Sequence, residues 1–491
     1  MQQMITRRLF SAPPLSSPKR AGGLGRRREA NWISPRVLLL FSCLLVMMAS
    51  RNALASTWPR VGSLVAATCM TAMALLLPLA VGDRGRERHA ARALVGTLLL
   101  AGCFFTAGTL AQAITNIATP TWFLVVFGYM IIGLAGVLPW TRQLTHMRLA
   151  LFFFLVAHSI MTVALLRSSP AHIDVQVYLH DGVIRLLHGQ NPYTMTIPNI
   201  YQPPFTEMFY GPDLVVHGRV PVGFPYLPVA LLLAIPGYVL GDVRYSQLIA
   251  MLITLLVLRR LAWDQVGRAA ALVAVVAPTA IPMLTGAWVE PSLVALLACL
   301  ILALESHRRA LVTVFLGLFL ASKQYVVLAI PIIWLLQRSV SRRVILLGFG
   351  IAVAVIMPFF IIDPAAFWKT ILAAQHDPPF RSDSISLLVW SVNEFGWPPA
   401  WTYRFLPLVG GGLTAILLMI RAPRMPSAFA ASFGLTLLVT FLLAQTAFMN
   451  YYFLVSGALL IAAVAWPSLP GPALPEPTPS EPASTSLDAL P

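Results

Sequence analysis

The chain is short of charge, of cysteine and, above all, of lysine. Only 11% of its 491 residues are charged, against about 25% in an ordinary soluble domain. With 58% hydrophobic residues and a mean hydropathy of +0.78, it reads as a polytopic membrane protein. The four cysteines (Cys43, Cys69, Cys103, Cys299) all lie inside apolar runs. Their spacing suits neither a disulfide framework nor a thiolate metal site. There is no Walker loop and no GxGxxG turn, which leaves no nucleotide-binding signature. An internal repeat with paired broken helices, the expected sign of a lipid-substrate transporter, is also missing. Lysine occurs only at positions 19, 323 and 369, so the formal charge of +16 is carried by arginine. In a soluble chain that balance points to nucleic acid. Here the arginines cluster between apolar runs and read as charge that sets orientation in a membrane.

Residues 1–35 are basic and rich in Ser, Pro and Gly, and are expected to form a disordered cytosolic arm. Thr6-Arg7-Arg8-Leu9-Phe10 looks like a twin-arginine signal but has no adjacent apolar region, and is read as coincidence. Apolar runs predict spans near 37–50, 61–82, 93–118, 121–141 and 149–166, then 244–258, 269–289, 291–304, 309–322, 324–337, 344–362, 401–420, 427–447 and 449–466. The fold class is therefore all-α, with about fourteen spans. The segment 225–241 is apolar but holds Pro225, Pro228 and Pro236. If it crossed, the arginines at 259, 260, 268, 308, 309, 338, 342, 343, 421 and 424 would all face outward. As an interfacial or re-entrant segment it puts these ten inside, against Lys323, Lys369, Arg381 and Arg404 outside, which obeys the orientation rule. Both termini are then cytosolic. The predicted divisions are the arm 1–35, a membrane extension 36–146, a core 147–466 with outer loops 167–225 and 363–400, and a disordered Pro-rich tail 467–491.

Ile173–Tyr193 organises the polar part. At roughly 100° per residue, Asp174, Tyr178, Asp181, Arg185 and His188 share an arc of about 80°. Val175, Val177, Leu179, Val183, Ile184, Leu186 and Leu187 lie opposite, so a helix should rest in a membrane interface, with Asp181 paired to Arg185. Runs 310–322 and 324–337, as α-helices, are about 20 Å long each. Their junction at Lys323 should sit in a cavity, as should Glu290 at the start of 291–304. His376 and Arg381 lie in the second outer loop, and Asn450-Tyr451-Tyr452 opens the last span.

Several motifs then carry a resemblance. They are Asp174-(x)3-Tyr178, Gly189-x-Asn191-Pro192-Tyr193, Phe224-Pro225-Tyr226-x-Pro228, Gly317-(x)5-Lys323 with Pro331, and Phe448-x-Asn450-Tyr451-Tyr452. Over roughly 147–466 the chain resembles the GT-C membrane glycosyltransferases, most of all glycosyltransferase family 87, the polyprenyl-phosphate-mannose-dependent mannosyltransferases. The resemblance implies inverting transfer of a sugar, usually mannose, from a polyprenyl-phosphate donor to a lipid or glycan acceptor. It places this on the outer face of a bacterial cytoplasmic membrane. It implies Asp174 as catalytic base and His376 as its assistant.

The chemistry needs one carboxylate to take the acceptor proton and cations to stabilise the departing phosphate. Lys323 and Arg381 are the cations expected at the phosphate. Tyr178, Asp181, Tyr193, Tyr226, Glu290, Asn450 and Tyr451 are expected at the sugar or acceptor. No cofactor or metal is expected, since no Asp-x-Asp is present, and no nucleic acid partner. The competing readings are another polyprenyl-phosphate sugar (arabinose, glucose, galactose), a transporter of lipid-linked substrate, and a membrane scaffold.

Overall fold

The computed structural model describes residues 34–51, 57–77, 79, 84–113, 128, 144–169, 172–373 and 379–467. The expected arm up to residue 33, the expected span 121–141, His376 and the tail from 468 lie outside them. The chain is 75% helical and nearly all-α. In chain order the long elements begin with α1 (Pro35–Ser50), α2 (Trp58–Leu76), α3 (Arg84–Ala113) and α4 (Leu144–Ser168). A polar region follows with α5 (Asp174–Leu187), α6 (Phe205–Tyr210) and a hairpin in which β1 (Ile197–Pro198) pairs antiparallel with β2 (Arg219–Val220), Ile197 opposite Val220. Then come α7 (Pro228–Leu232), α8 (Ile235–Val239), α9 (Arg244–Leu261), α10 (Gln265–Ala270), α11 (Val273–Val276) and α12 (Ala280–Thr285). The last part holds α13 (Glu290–Glu305), α14 (Arg309–Leu320), two 3-10 segments (Gln324–Ala329, Pro331–Arg338), α15 (Arg342–Ile362), α16 (Pro364–Trp368), α17 (Leu387–Phe395), α18 (Leu406–Arg421), α19 (Pro426–Leu442) and α20 (Met449–Ala465).

Among the described residues, four helical stretches are long and apolar enough to cross a membrane: Trp58–Leu76, Gly85–Thr109, Leu151–Ser168 and Arg342–Ile362. Pro228–Val239 with Arg244–Leu261 makes a fifth only if a 104° bend is ignored. Six further apolar helices run 10–17 residues, so helix length alone does not reach fourteen spans. The bend fits the re-entrant expectation for 225–241. The expected single span 269–289 is instead split into short helices, and Pro278, which lacks a backbone donor, lies at the break between α11 and α12. The expected helix 324–337 is 3-10 in form. At about 2.0 Å per residue, Gln324–Arg338 reaches roughly 30 Å, enough for a hydrocarbon core that an α-helix of that length would not cross.

The core is centred on α19 and α20, which are apolar on every side and almost wholly buried. α1 packs against α2 and α20, while α13 packs against α9, α14 and α20. The Arg36 guanidinium makes two 2.8 Å bonds to Asp264 and lies 4.6 Å from the Trp263 ring, joining the start of α1 to the end of α9. The indole of Trp263 donates to the Trp466 carbonyl at 2.8 Å, joining the end of α9 to the end of α20. The starts of α13 and α20 meet the end of α14 at the opposite end of the bundle. This end holds the polar side chains.

Candidate active site

Asp174 is the first residue of α5, where a carboxylate is favoured by the helix dipole. The helix stops at Gly189, whose φ of +70° a side-chain-bearing residue would resist. There the amides of Gly189 and Gln190 cap the carbonyls of Leu186 and Arg185. The Asn191 side chain accepts from the Tyr193 amide at 3.0 Å and fixes the following turn. Gly223 lets the return strand touch that turn: a Cβ there would lie 2.0 Å from the Tyr193 carbonyl oxygen. The amide of Phe224 donates to the Pro192 carbonyl at 3.1 Å. In this way Tyr226 is carried back beside α5.

The loop after β1 supplies two tyrosines that sequence reasoning missed. The Tyr210 hydroxyl donates to Asp174 Oδ2 at 2.9 Å, and the Tyr201 hydroxyl accepts from the Asp174 amide at 3.1 Å. Asn199 holds Tyr201 in place by accepting from its amide at 3.1 Å. Their only sequence signal is the aromatic density of 201–210, since residues 27 and 36 positions from Asp174 share no periodicity with it. Burial pushes the Asp174 carboxyl above the ordinary carboxylate range, and donation from Tyr210 and Tyr201 pulls part of the way back. Burial and the Asp174 charge in turn raise the Tyr201 and Tyr210 hydroxyls. Asp174, Tyr201 and Tyr210 all keep partial solvent access. A carboxylate crowded by protein yet touched by water sits in the wall of a recess.

Arg381 faces the same recess. Its guanidinium lies between the Phe209 and Phe448 rings, 4.4 and 4.5 Å from their centroids. It donates from Nε and Nη2 to Asp383 at 2.8 and 2.7 Å. Its charge acts on both Tyr201 and Tyr451. Nη1 makes no hydrogen bond among the described residues.

Below lies a second cluster. Glu290 is wholly buried at the start of α13, and its Oε1 accepts from Lys323 Nζ at 2.5 Å, Asn450 Nδ2 at 2.9 Å and the Tyr325 hydroxyl at 3.1 Å. The rings of Tyr226, Tyr325 and Tyr451 surround the Lys323 ammonium at 4.5, 5.1 and 5.5 Å. Among the described residues, Glu290 Oε2 and Asn450 Oδ1 are buried without a partner. The Glu290 and Asp174 charges both act on Tyr226, tying the clusters together.

Comparison with known proteins returns no match to a family model, a curated protein or a solved structure. Geometry therefore carries the functional reading.

The structure brings together Asp174, Tyr178, Tyr226, Glu290, Lys323, Arg381, Asn450 and Tyr451. Tyr178 keeps its place one turn from Asp174, whose charge acts on it, but is buried rather than solvated. Asp181 is outside the recess and pairs with His180 at 3.1 Å, not with Arg185. Tyr193 is also outside: it is fully buried among Phe224, Phe359 and Phe367, its hydroxyl donating to the Tyr226 carbonyl at 2.9 Å. Both expected phosphate cations are paired with a carboxylate, Lys323 with Glu290 and Arg381 with Asp383. Among the described residues no group of three His, Cys, Asp or Glu side chains is placed to hold a metal.

A cavity of about 420 Å³ lies elsewhere, lined by Arg260, Trp263, Glu305 and Pro467. It sits at the far ends of α9, α13 and α20, away from the Asp174 and Glu290 clusters.

Proposed function

We propose that the chain is a membrane glycosyltransferase that moves one sugar, mannose in the first instance, from a polyprenyl-phosphate donor to a lipid or glycan acceptor. The observation that supports it best is the pairing, in one recess, of a partly accessible carboxylate (Asp174) with a guanidinium clamped between two rings (Arg381). The acceptor hydroxyl attacks the anomeric carbon as the bond to the phosphate oxygen breaks. Asp174 takes the hydroxyl proton, and its raised basicity suits it to that task. The lipid phosphate leaves with the bonding electrons, and Arg381 Nη1 stabilises its charge. A phosphate leaving group needs no strong general acid, so a second catalytic carboxylate is not required.

The orientation follows the same reading. Ten of the twelve arginines from 259 to 424, all but Arg381 and Arg404, lie opposite the recess and face the cytosol, in a chain of about fourteen spans with both termini inside. The recess then opens on the outer face of a bacterial cytoplasmic membrane.

Purified full-length protein, incubated with polyprenyl-phosphate-linked mannose and a membrane lipid extract, should release polyprenyl phosphate and add one hexose mass to an acceptor. Asp174→Asn should lower transfer by about two orders of magnitude or more. Donor translocation without release of polyprenyl phosphate would replace this reading with a transporter.

A further inference from the structure

We propose that Glu290, Asn450, Lys323 and Tyr451 form the subsite for the sugar ring of the donor, and that Arg381 alone among the candidate cations holds its phosphate. The inference rests on the glycosyl-transfer reading and concerns how that recess divides between the two halves of the substrate.

Charge is the first argument. Lys323 and Glu290 are 2.5 Å apart and wholly or almost wholly buried, so together they present no net charge. A phosphate arriving at this pair would meet the Glu290 carboxylate as well as the ammonium. A neutral ligand that both donates and accepts hydrogen bonds meets no such conflict. Lys323 Nζ is also walled in by three tyrosine rings, whereas Arg381, although paired with Asp383, keeps Nη1 outside its pair among the described residues.

The second argument is the set of unused hydrogen-bond positions. Three donors converge on Glu290 Oε1, leaving Oε2 and the neighbouring Asn450 Oδ1 buried without any. Two orphan acceptors on hydrogen-bonded side chains call for a ligand carrying hydroxyl donors. The Lys323 ammonium can donate back to a hydroxyl oxygen.

Shape is the third. Tyr325 and Tyr451 keep partial solvent access beside these acceptors, and their aromatic faces suit the C–H face of a pyranose. Arg381 supplies the complement. Its charge reaches Tyr451, its Nη1, unpaired among the described residues, belongs to a planar group suited to phosphate oxygens, and two phenylalanines fix its plane.

The test compares two lipids on purified full-length protein in detergent: a short-chain polyprenyl phosphate and the same lipid carrying mannose. Wild type should bind the mannosylated lipid more tightly. Glu290→Gln and Tyr451→Ala should each weaken the mannosylated lipid about tenfold and leave the bare phosphate within about twofold. Arg381→Ala should weaken both lipids alike. Tyr451→Ala keeps both members of the buried ion pair, so the subsite remains testable if Glu290→Gln does not fold. Equal losses on both lipids in the Glu290 and Tyr451 variants, or no loss on either, overturn the subsite while leaving a donor-binding protein. Wild type that binds neither lipid overturns the glycosyl-transfer reading itself.

Discussion

At Asp174 the demands of the fold and of the proposed reaction oppose each other. Its carboxyl, ordinarily near 3.8, is raised in the folded chain by burial. Folding therefore favours the neutral form. The penalty is absent below the ordinary value and grows as pH rises through the raised one. Asp174→Asn removes a charge from this site without changing its shape. It should melt at an equal or higher temperature than wild type at pH 7, and the difference should shrink towards pH 4 when followed by thermal unfolding in detergent. Transfer by wild type should fall as pH drops through the raised Asp174 value. Tyr210→Phe deletes a donor that favours the charged carboxylate, so the acid limb of kcat/KM should move to higher pH. A limb that stays in place would show that Tyr210 does not tune this group. Asp174 was legible in the sequence because an amphipathic period singles it out. Tyr201 and Tyr210 were not, because they reach it from a loop that has no period. Glu290, Lys323 and Asn450 were each visible as polar residues at apolar helix ends. That they bond to one another was not, since they come from separate elements 33 and 160 residues apart.

Among the elements, the α14–α15 pair sets where Lys323 stands. A Cβ on Gly317 would lie 2.6 Å from the Ile351 side chain and 2.7 Å from the Gly348 carbonyl oxygen. Close approach through small residues is how apolar helices pack tightly without a hydrophobic driving force between them. Gly317→Val should destabilise the protein by about 1–3 kcal/mol, read from thermal or denaturant unfolding. Ile351→Ala should restore part of the loss, and no rescue would mean that the clash lies with the backbone. The helices themselves were largely legible from apolar runs. The two departures share a cause in backbone chemistry. Pro278 parts α11 from α12 within 269–289, and the 3-10 form of Gln324–Arg338 lengthens a run that counting at α-helical rise makes too short.

For the whole molecule, the Arg36–Asp264 pair binds the N-terminal helices to the rest. Burial alone would raise Asp264, but the Arg36 charge and hydrogen bonds win and hold it below the usual carboxylate range. That stability is present above the ordinary carboxylate value and lost as pH falls through the lowered one, opposite in sign to Asp174. Arg36→Ala strands a largely buried carboxylate and should cost about 3 kcal/mol, measured by unfolding at pH 7. A change near zero would mean that Asp264 finds water instead. Sidedness is testable separately. In a cysteine-free background, an impermeant thiol reagent added outside intact cells should label a cysteine at Asp213 and not one at Arg342. The reverse pattern would overturn the orientation.

The three donors on Glu290 also fix an order of assembly. They follow it in the chain by 33, 35 and 160 residues. At about 5–20 residues per second, the ribosome delivers Lys323 some seconds after Glu290, and Asn450 roughly 10–30 seconds after. Through that interval α13 carries an acid whose complete set of partners does not yet exist. A truncation ending before Met449 leaves Glu290 paired with Lys323 but short of its amide donor for good. The last helix thus acts as the closing step of biogenesis, completing the same contact on which the proposed sugar site depends.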